Sequence, residues 1–163
     1  MAFLKKRMSS KIKAINLHKS YKLNERYTQK LAAEILKMID RGRPAELELV
    51  FMDDRSIRRF NKRYKFADRA TDVLSFRIDR RDFGQKSFLG EIMISLDTAF
   101  KNSKLYGTAF AEEIALYIIH GILHLFGYDD GTAEDRRRMV RKQNRILDEL
   151  CSCRNLSEAL TPR

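Results

Sequence analysis

The feature that most constrains this chain is a long segment with helical spacing, residues 110–126, that is apolar on nearly every face. Such a helix is stable only inside a protein core or a membrane. Its longest unbroken apolar run, Ile114 to Ile119, is far shorter than the roughly 20 residues that a membrane span needs. We therefore expect residues 110–126 to form the buried central helix of a globular domain, ended by Gly127.

The segments around this helix predict an α+β fold. Alternating or apolar stretches indicate short strands, and spacings of three and four indicate helices. We expect a single domain with a small mixed sheet of about four strands packed with helices. Residues 1–10 are predicted to be a basic N-terminal extension, residues 11–155 the domain and residues 156–163 a tail. The strands are expected at 11–17, 46–52, 73–78 and 88–95, and the other helices at 22–40, after Asp53, at 97–105 and from Thr132 to about Leu150.

The central helix also carries two of the three histidines in the chain, His120 and His124. Four residues apart, their rings share one helix face and can reach one metal ion. Gly127 turns the chain, so that Asp130 can return as a third ligand. Two histidines, a carboxylate and an open position form a known catalytic zinc arrangement. The sequence therefore predicts one zinc ion per chain, held by His120, His124 and Asp130.

Two neighbours of this motif have alternative interpretations. Glu113 lies seven residues before His120 on nearly the same stripe, so it is either a partner of the metal site or a carboxylate favoured at a helix start. Zinc peptidases of the metzincin type carry glutamate directly after the first histidine as the base that activates water. This chain has Gly121 there, which argues against that mechanism.

The charge is distributed in blocks around the predicted metal site. The net charge is +11, and Lys plus Arg exceed Asp plus Glu by eight in residues 1–30, five in residues 53–86 and four in residues 132–145. Residues 87–131 are acidic instead. Basic blocks attract polyanions, while an acidic block suits a bound cation. Cys151 and Cys153 are too few for a disulfide framework, and no secretory signal is evident, so we expect a cytoplasmic protein without a membrane segment.

Three motifs resemble the YbeY family of bacterial single-strand-specific endoribonucleases, which serve ribosomal RNA maturation and ribosome quality control. The family pattern H-G-x-L-H-L-x-G-Y-D-H matches residues 120–129, the pattern T-D-V-L-S-F-P matches residues 71–76, and L-G-D-I is similar to residues 89–92. The resemblance covers roughly residues 46–150. It implies RNA as substrate, the ribosome or its small subunit as partner, and a metal-dependent hydrolysis of phosphodiester bonds.

The chain departs from the family pattern at several positions. The last histidine of the motif is Asp130 here, which changes three histidine ligands into two histidines and a carboxylate. The arginine that many relatives carry six residues before the threonine is Lys65, which keeps the charge but lacks the bidentate fork. The resemblance implies that Lys65 stabilises charge on the phosphate as a catalytic residue. Proline on either side of the second motif is replaced by Ala70 and Arg77.

Some interpretations stay open at this stage. Asp130 and Lys65 depart from the family pattern, and these departures also fit a ribosome assembly factor without enzymatic activity. A zinc peptidase shares the spacing of the two histidines. Ser75 either points into the cleft or bonds to backbone. Tyr64 either stacks on a base beside Lys65 or completes a helix stripe with Phe60.

Overall fold

The computed structural model describes residues 10–40, 45–78 and 88–160, in which two strand–helix pairs are followed by two strands and then by consecutive helices. The predicted extension lies almost wholly outside these residues. Each observed element begins within three residues of its predicted start. The elements are β1 Lys11–Asn16, α1 Glu25–Ile39, β2 Glu46–Met52, α2 Asp54–Lys65, β3 Val73–Arg77, β4 Phe88–Ser95, α3 Leu96–Tyr106, α4 Phe110–Leu125 and α5 Ala133–Cys153.

The four described strands form one mixed sheet in the order β1-β2-β4-β3. β1, β2 and β4 run parallel, and β3 pairs with β4 in the antiparallel direction. A register shift follows Glu46, where β4 advances to Gly90. Gly90 has a positive φ of 151°, and a Cβ there would collide with the carbonyl of Phe76, so this position requires glycine. The predicted α+β class with a four-stranded mixed sheet is confirmed.

The central helix α4 covers one face of this sheet. Alternate residues of β2 and β4, such as Leu49 and Ile92, point toward it and are fully buried in the main hydrophobic cluster. The opposite face carries a smaller cluster around Val50 and Met93, packed against α2. In the described chain no single helix has the length and apolar composition of a membrane span; α3 and α4 pass that test only as a pair, bent by 118°.

The structure differs from the predicted domain division at the C-terminus. The sequence predicts a tail at residues 156–163, but Leu156–Ala159 form a short 3₁₀ helix in which both end residues are buried. Leu160 then forms a β-bridge with Leu23. This segment packs on α1 and α4 because Leu156 and Ala159 carry apolar surface that solvent exposure would disfavour.

Side chains that accept backbone N–H groups set the first residues of three helices. Asp53 accepts the Ser56 N–H at 2.7 Å, as predicted for the start of α2, and Thr132 accepts the Asp135 N–H at 3.1 Å at the start of α5. α1 begins later than predicted because Asn24 caps it.

Candidate metal centre

The C-terminal end of α4 turns the chain back toward its own histidines. The Tyr128 N–H donates to the Leu123 carbonyl at 3.0 Å, and the Gly127 N–H donates to the His124 carbonyl at 3.0 Å. This pair of bonds is a Schellman motif, which requires a left-handed residue, and Gly127 supplies it with a φ of 86°. The reversal places Asp130 beside His120 and His124.

Three donor groups then converge on one point. The Nε2 atoms of His120 and His124 lie 3.0 Å apart, and a carboxylate oxygen of Asp130 joins them, with all three ligand atoms within 4.8 Å of one another. Tetrahedral zinc with bonds near 2.0–2.2 Å separates its donors by about 3.3 Å. The donor set and its spacing therefore fit a zinc-sized ion, with room for a further ligand on the exposed side.

A hydrogen bond from α5 sets the orientation of His120. Its Nδ1 lies 3.0 Å from Oε1 of Gln143, an amide oxygen that can only accept. Nδ1 therefore carries the ring proton, and Nε2 presents its lone pair toward His124 and Asp130. Metal-bound histidines are held in this way by an acceptor on the second nitrogen. Gln143 has no motif around it that sequence reasoning could have used, because its partner lies 23 residues away on another helix.

The environment of His124 also favours the ligand state. Burial lowers the pKa of His124, and the neighbouring His120 lowers it further, against the opposing effect of Asp130. The imidazole must be neutral to bind a metal ion. A lowered pKa keeps it neutral at physiological pH.

Two of the three donors, His120 and Asp130, line a cleft of about 280 Å³, called the metal cleft below. Asp72, at the start of β3, and Arg136, on the first turns of α5, also line it. The Asp72 carboxylate is held by the N–H of Val73 at 2.8 Å and the hydroxyl of Thr71 at 3.0 Å. A carboxylate and an arginine therefore flank the donors in a cavity whose remaining walls are Leu116, Tyr117, Met139, Val140 and Gln143.

Close packing between α4 and the sheet explains why residue 121 is a glycine. A Cβ at this position would lie 2.6 Å from Cγ2 of Ile92 and 3.2 Å from the hydroxyl of Ser75. The Ser75 hydroxyl donates to the Gly121 carbonyl at 3.2 Å, so Ser75 bonds β3 to α4. The missing side chain lets α4 approach the sheet closely, and a glutamate would not fit there.

The other residues singled out from the sequence lie apart from the donors. Glu113 is buried and accepts the hydroxyl of Thr108 at 2.5 Å, so it serves the start of α4. Tyr64 stacks on Phe60, with ring centroids 6.3 Å apart, and also contacts Phe76. Lys65 is exposed on the last turn of α2 and is not among the residues that line the metal cleft.

The remaining histidine belongs to a different network. His18 accepts the N–H groups of Ser20 and Tyr21 on Nδ1, and its Nε2 lies 3.0 Å from Asp97. It follows β1 and takes no part in the metal centre.

The structure therefore defines an α+β domain in which two histidines of a core helix and a carboxylate from the following turn form a group that could hold a metal ion. Comparison with known proteins identifies the family: the model of the endoribonuclease YbeY family matches residues 11–151, and the chain belongs to this family.

Individual relatives agree with this assignment. The chain is 43% identical over 111 residues to Endoribonuclease YbeY of Desulforamulus reducens, covering 65% of this chain and 72% of that protein. It is 38% identical over 123 residues to Endoribonuclease YbeY of Pelotomaculum thermopropionicum, covering 73% and 81%. The solution structure of TM1509 from Thermotoga maritima superimposes with a TM-score of 0.61 at 27% identity, covering 86% of this chain and 89% of that one. The resemblance drawn from the sequence motifs is confirmed.

Proposed function

We propose that this protein is a zinc-dependent endoribonuclease that cleaves single-stranded regions of ribosomal RNA during maturation and quality control of the ribosome. The observation that carries the proposal is the convergence of His120, His124 and Asp130, two of which line the metal cleft. Membership of a family whose curated relatives are named endoribonucleases gives the reaction class. The net charge of +11 suits a polyanionic substrate.

His120, His124 and Asp130 would hold one zinc ion. Bound zinc would supply Lewis acidity toward a phosphoryl oxygen and lower the pKa of a bound water. Gln143 keeps the His120 lone pair directed at the site, and Asp72 offers a carboxylate that can accept a proton from water inside the cleft. Arg136, whose guanidinium also donates to the Asp130 carbonyl at 3.3 Å, places a positive charge beside the position where a phosphate would lie.

Lys65 is proposed to neutralise the phosphate of the bound RNA. It carries no ion pair among the described residues, and its neighbours on the surface are aromatic: Tyr64 is 50% exposed and Phe66 is 92% exposed. Exposed aromatic rings beside a cation favour contact with unpaired bases. RNA that enters the cleft along this end of α2 would meet these three side chains.

A second candidate function is ribosome assembly without catalysis. Lys65 is exposed, and a lysine lacks the bidentate guanidinium with which an arginine would hold a phosphate in place. Both features favour RNA binding without catalysis. A zinc peptidase is not favoured, because the contact between Gly121 and Ile92 leaves no space for the glutamate that would activate water. We place either RNA function in the cytoplasm.

Cleavage of a labelled single-stranded RNA by metal-loaded protein tests the proposal, with a duplex of the same sequence for comparison. We expect cleavage of the single strand, its loss on chelation and in His124→Ala, and one zinc ion per chain. Lys65→Ala should lower kcat by about tenfold or more at unchanged zinc content, and Lys65→Arg should retain activity. Exposed Lys37→Ala on α1 is the matched control. Zinc binding and RNA binding without cleavage would contradict the nuclease function and favour the assembly function instead.

A further inference from the structure

A row of cations on α5 lies outside the proposed active site. Arg138, Arg141, Lys142 and Arg145 are spaced three and four residues apart, so they share one side of the helix, and we call them the basic ridge. Met139 and Gln143 direct a different side of α5 toward the core and the metal cleft. The basic ridge is therefore a second surface, separated from the cleft by the body of α5.

Among the residues that the structure describes, these four cations have no acidic partner. Other basic side chains of the molecule are neutralised locally, as Arg58 and Lys62 are by Asp68. Unpaired cations in a row repel one another, so the ridge gains free energy when an anion binds along it.

The basic ridge borders a depression of about 260 Å³ whose floor includes Tyr128. The guanidinium carbon of Arg138 lies 5.8 Å from the centroid of the Tyr128 ring, within the range of a cation–π contact. Tyr128 also packs against the main hydrophobic cluster. A fixed aromatic ring therefore holds the first arginine of the ridge in place, which reduces the entropy lost on binding.

The turn at residues 127–131 connects this depression to the metal cleft. It contributes Asp130 to the cleft and Tyr128 to the depression. Two carboxylates, those of Asp129 and Asp135, lie between the cleft and the depression, and both accept local hydrogen bonds. Asp129 accepts the N–H groups of Asp130 and Gly131, and Asp135 accepts the hydroxyl of Thr132. A chain of phosphates leaving the cleft near Arg136 can pass over the start of α5 and reach the ridge.

We propose that the basic ridge binds the phosphodiester backbone of single-stranded RNA that extends beyond the segment held in the metal cleft. From Arg138 to Arg145 the helix rises about 10 Å, which faces about three phosphates at 3.4 Å per nucleotide along one stacked strand. Arginine forks match phosphate oxygens, and three of the four cations are arginines. This inference rests on the proposed function, since it takes RNA as the ligand of the neighbouring cleft.

The test compares two RNA lengths on full-length, metal-free protein, so that binding is measured without cleavage. One single strand of about 6 nucleotides fits the cleft alone, and one of about 20 nucleotides also reaches the ridge. For Arg141→Gln/Arg145→Gln we expect the Kd for the longer RNA to rise about tenfold. The slope of log Kd against log salt should fall by about 1.4, or 0.7 for each lost contact. Binding of the shorter RNA should change less than twofold.

Two controls accompany the variant. Lys30→Gln/Lys37→Gln removes two exposed charges from α1 and should leave both affinities within twofold of wild type, whereas Arg141→Lys/Arg145→Lys should retain the wild-type slope. Equal melting temperatures show that all four proteins fold.

Three results would overturn the inference: an unchanged slope in the ridge variant, an equal loss in the α1 control, or ridge-dependent binding of polyglutamate but not of RNA. Cleavage of the shorter RNA by metal-loaded wild type is scored separately. It reports on the proposed function alone, so either hypothesis can fail while the other stands.

Discussion

At the scale of single residues, the candidate metal centre depends on which nitrogen of each imidazole can act as a ligand. Gln143 accepts from Nδ1 of His120, so Nε2 of that ring has a lone pair 3.0 Å from Nε2 of His124. The two rings lie nearly perpendicular, at 80°. Asp129 and Asp130 are adjacent, yet only Asp130 joins the donors; the Asp129 side chain accepts the backbone N–H of Asp130 at 2.7 Å and shapes the turn.

This difference predicts the effects of substitutions in the turn. Asp130→Ala should lower zinc affinity by more than about 100-fold. Loss of a residue that only hydrogen-bonds to a metal ligand lowers metal affinity about 10–100-fold, and loss of a direct ligand should lower it further. Asp130→His should keep or raise zinc affinity, since a neutral imidazole replaces a carboxylate. Competition with a chromophoric chelator measures each affinity. The control is Asp129→Asn, which keeps the accepting oxygen; if it loses zinc while Asp130→Ala does not, the third ligand is Asp129.

At the scale of elements, the position of the candidate metal ligands on α4 depends on a close contact between this helix and the sheet. Gly121 faces Ile92 of β4 without a side chain between them, and Ser75 of β3 donates to its carbonyl. The close contact fixes the height of α4 above the sheet. His120 precedes Gly121 directly, so its position depends on this contact.

Gly121→Ala should destabilise the protein by about 1–3 kcal/mol, the usual effect of overpacking a core. In an exposed helix the same change would stabilise by up to about 1 kcal/mol. Urea denaturation measures the difference. The contact with Ile92 predicts that Gly121→Ala in an Ile92→Ala background is nearly neutral or stabilising. A loss of stability that is the same in both backgrounds would contradict the packing explanation.

At the scale of the whole molecule, a polar network connects the ends of the three parallel strands. Asp54, after β2, accepts the hydroxyls of Ser95 and Thr98 at 2.6 and 2.7 Å. Asp97 accepts the Asp54 N–H at 3.0 Å, and His18, after β1, bonds to the other oxygen of Asp97. These bonds join segments up to 79 residues apart, so they hold α2 and α3 to the sheet while α4 and α5 form the cleft.

The network predicts a pH dependence of stability. Burial would raise the pKa of Asp54, but hydrogen bonds from Lys101, Ser95 and Thr98 outweigh it and lower the pKa below the ordinary 3.8. A depressed folded-state pKa means that this stabilisation is present above the unfolded value and is lost as the pH falls through the folded value. Asp54→Asn should therefore unfold more easily at pH 7, by about 1–2 kcal/mol, and show a weaker loss of stability below pH 4.

Thermal denaturation of wild type and Asp54→Asn between neutral and acidic pH measures this dependence. Asp148→Asn, at an exposed carboxylate on α5, is the matched control and should follow wild type. Parallel curves for Asp54→Asn and wild type over the acidic range would contradict the assignment.

The sequence by itself determined the features that depend on neighbours along the chain. Helical and alternating periodicity located the elements, because burial of one face imposes those periods locally. The placement of His120, His124 and Asp130 together follows from a four-residue helical spacing and a glycine turn, both confined to eleven residues. The family resemblance rested on the same short motifs.

Only the tertiary structure decided what depends on segments distant in sequence. Gln143 reaches His120 from another helix, and Asp72 enters the cleft from β3. Ile92 of β4 lies against Gly121 and leaves no space for the glutamate of the peptidase pattern. The segment predicted to be a tail contacts α1 and α4, which cover the apolar side chain of Leu156. Packing brings such pairs together without any local period or spacing that would mark them in advance.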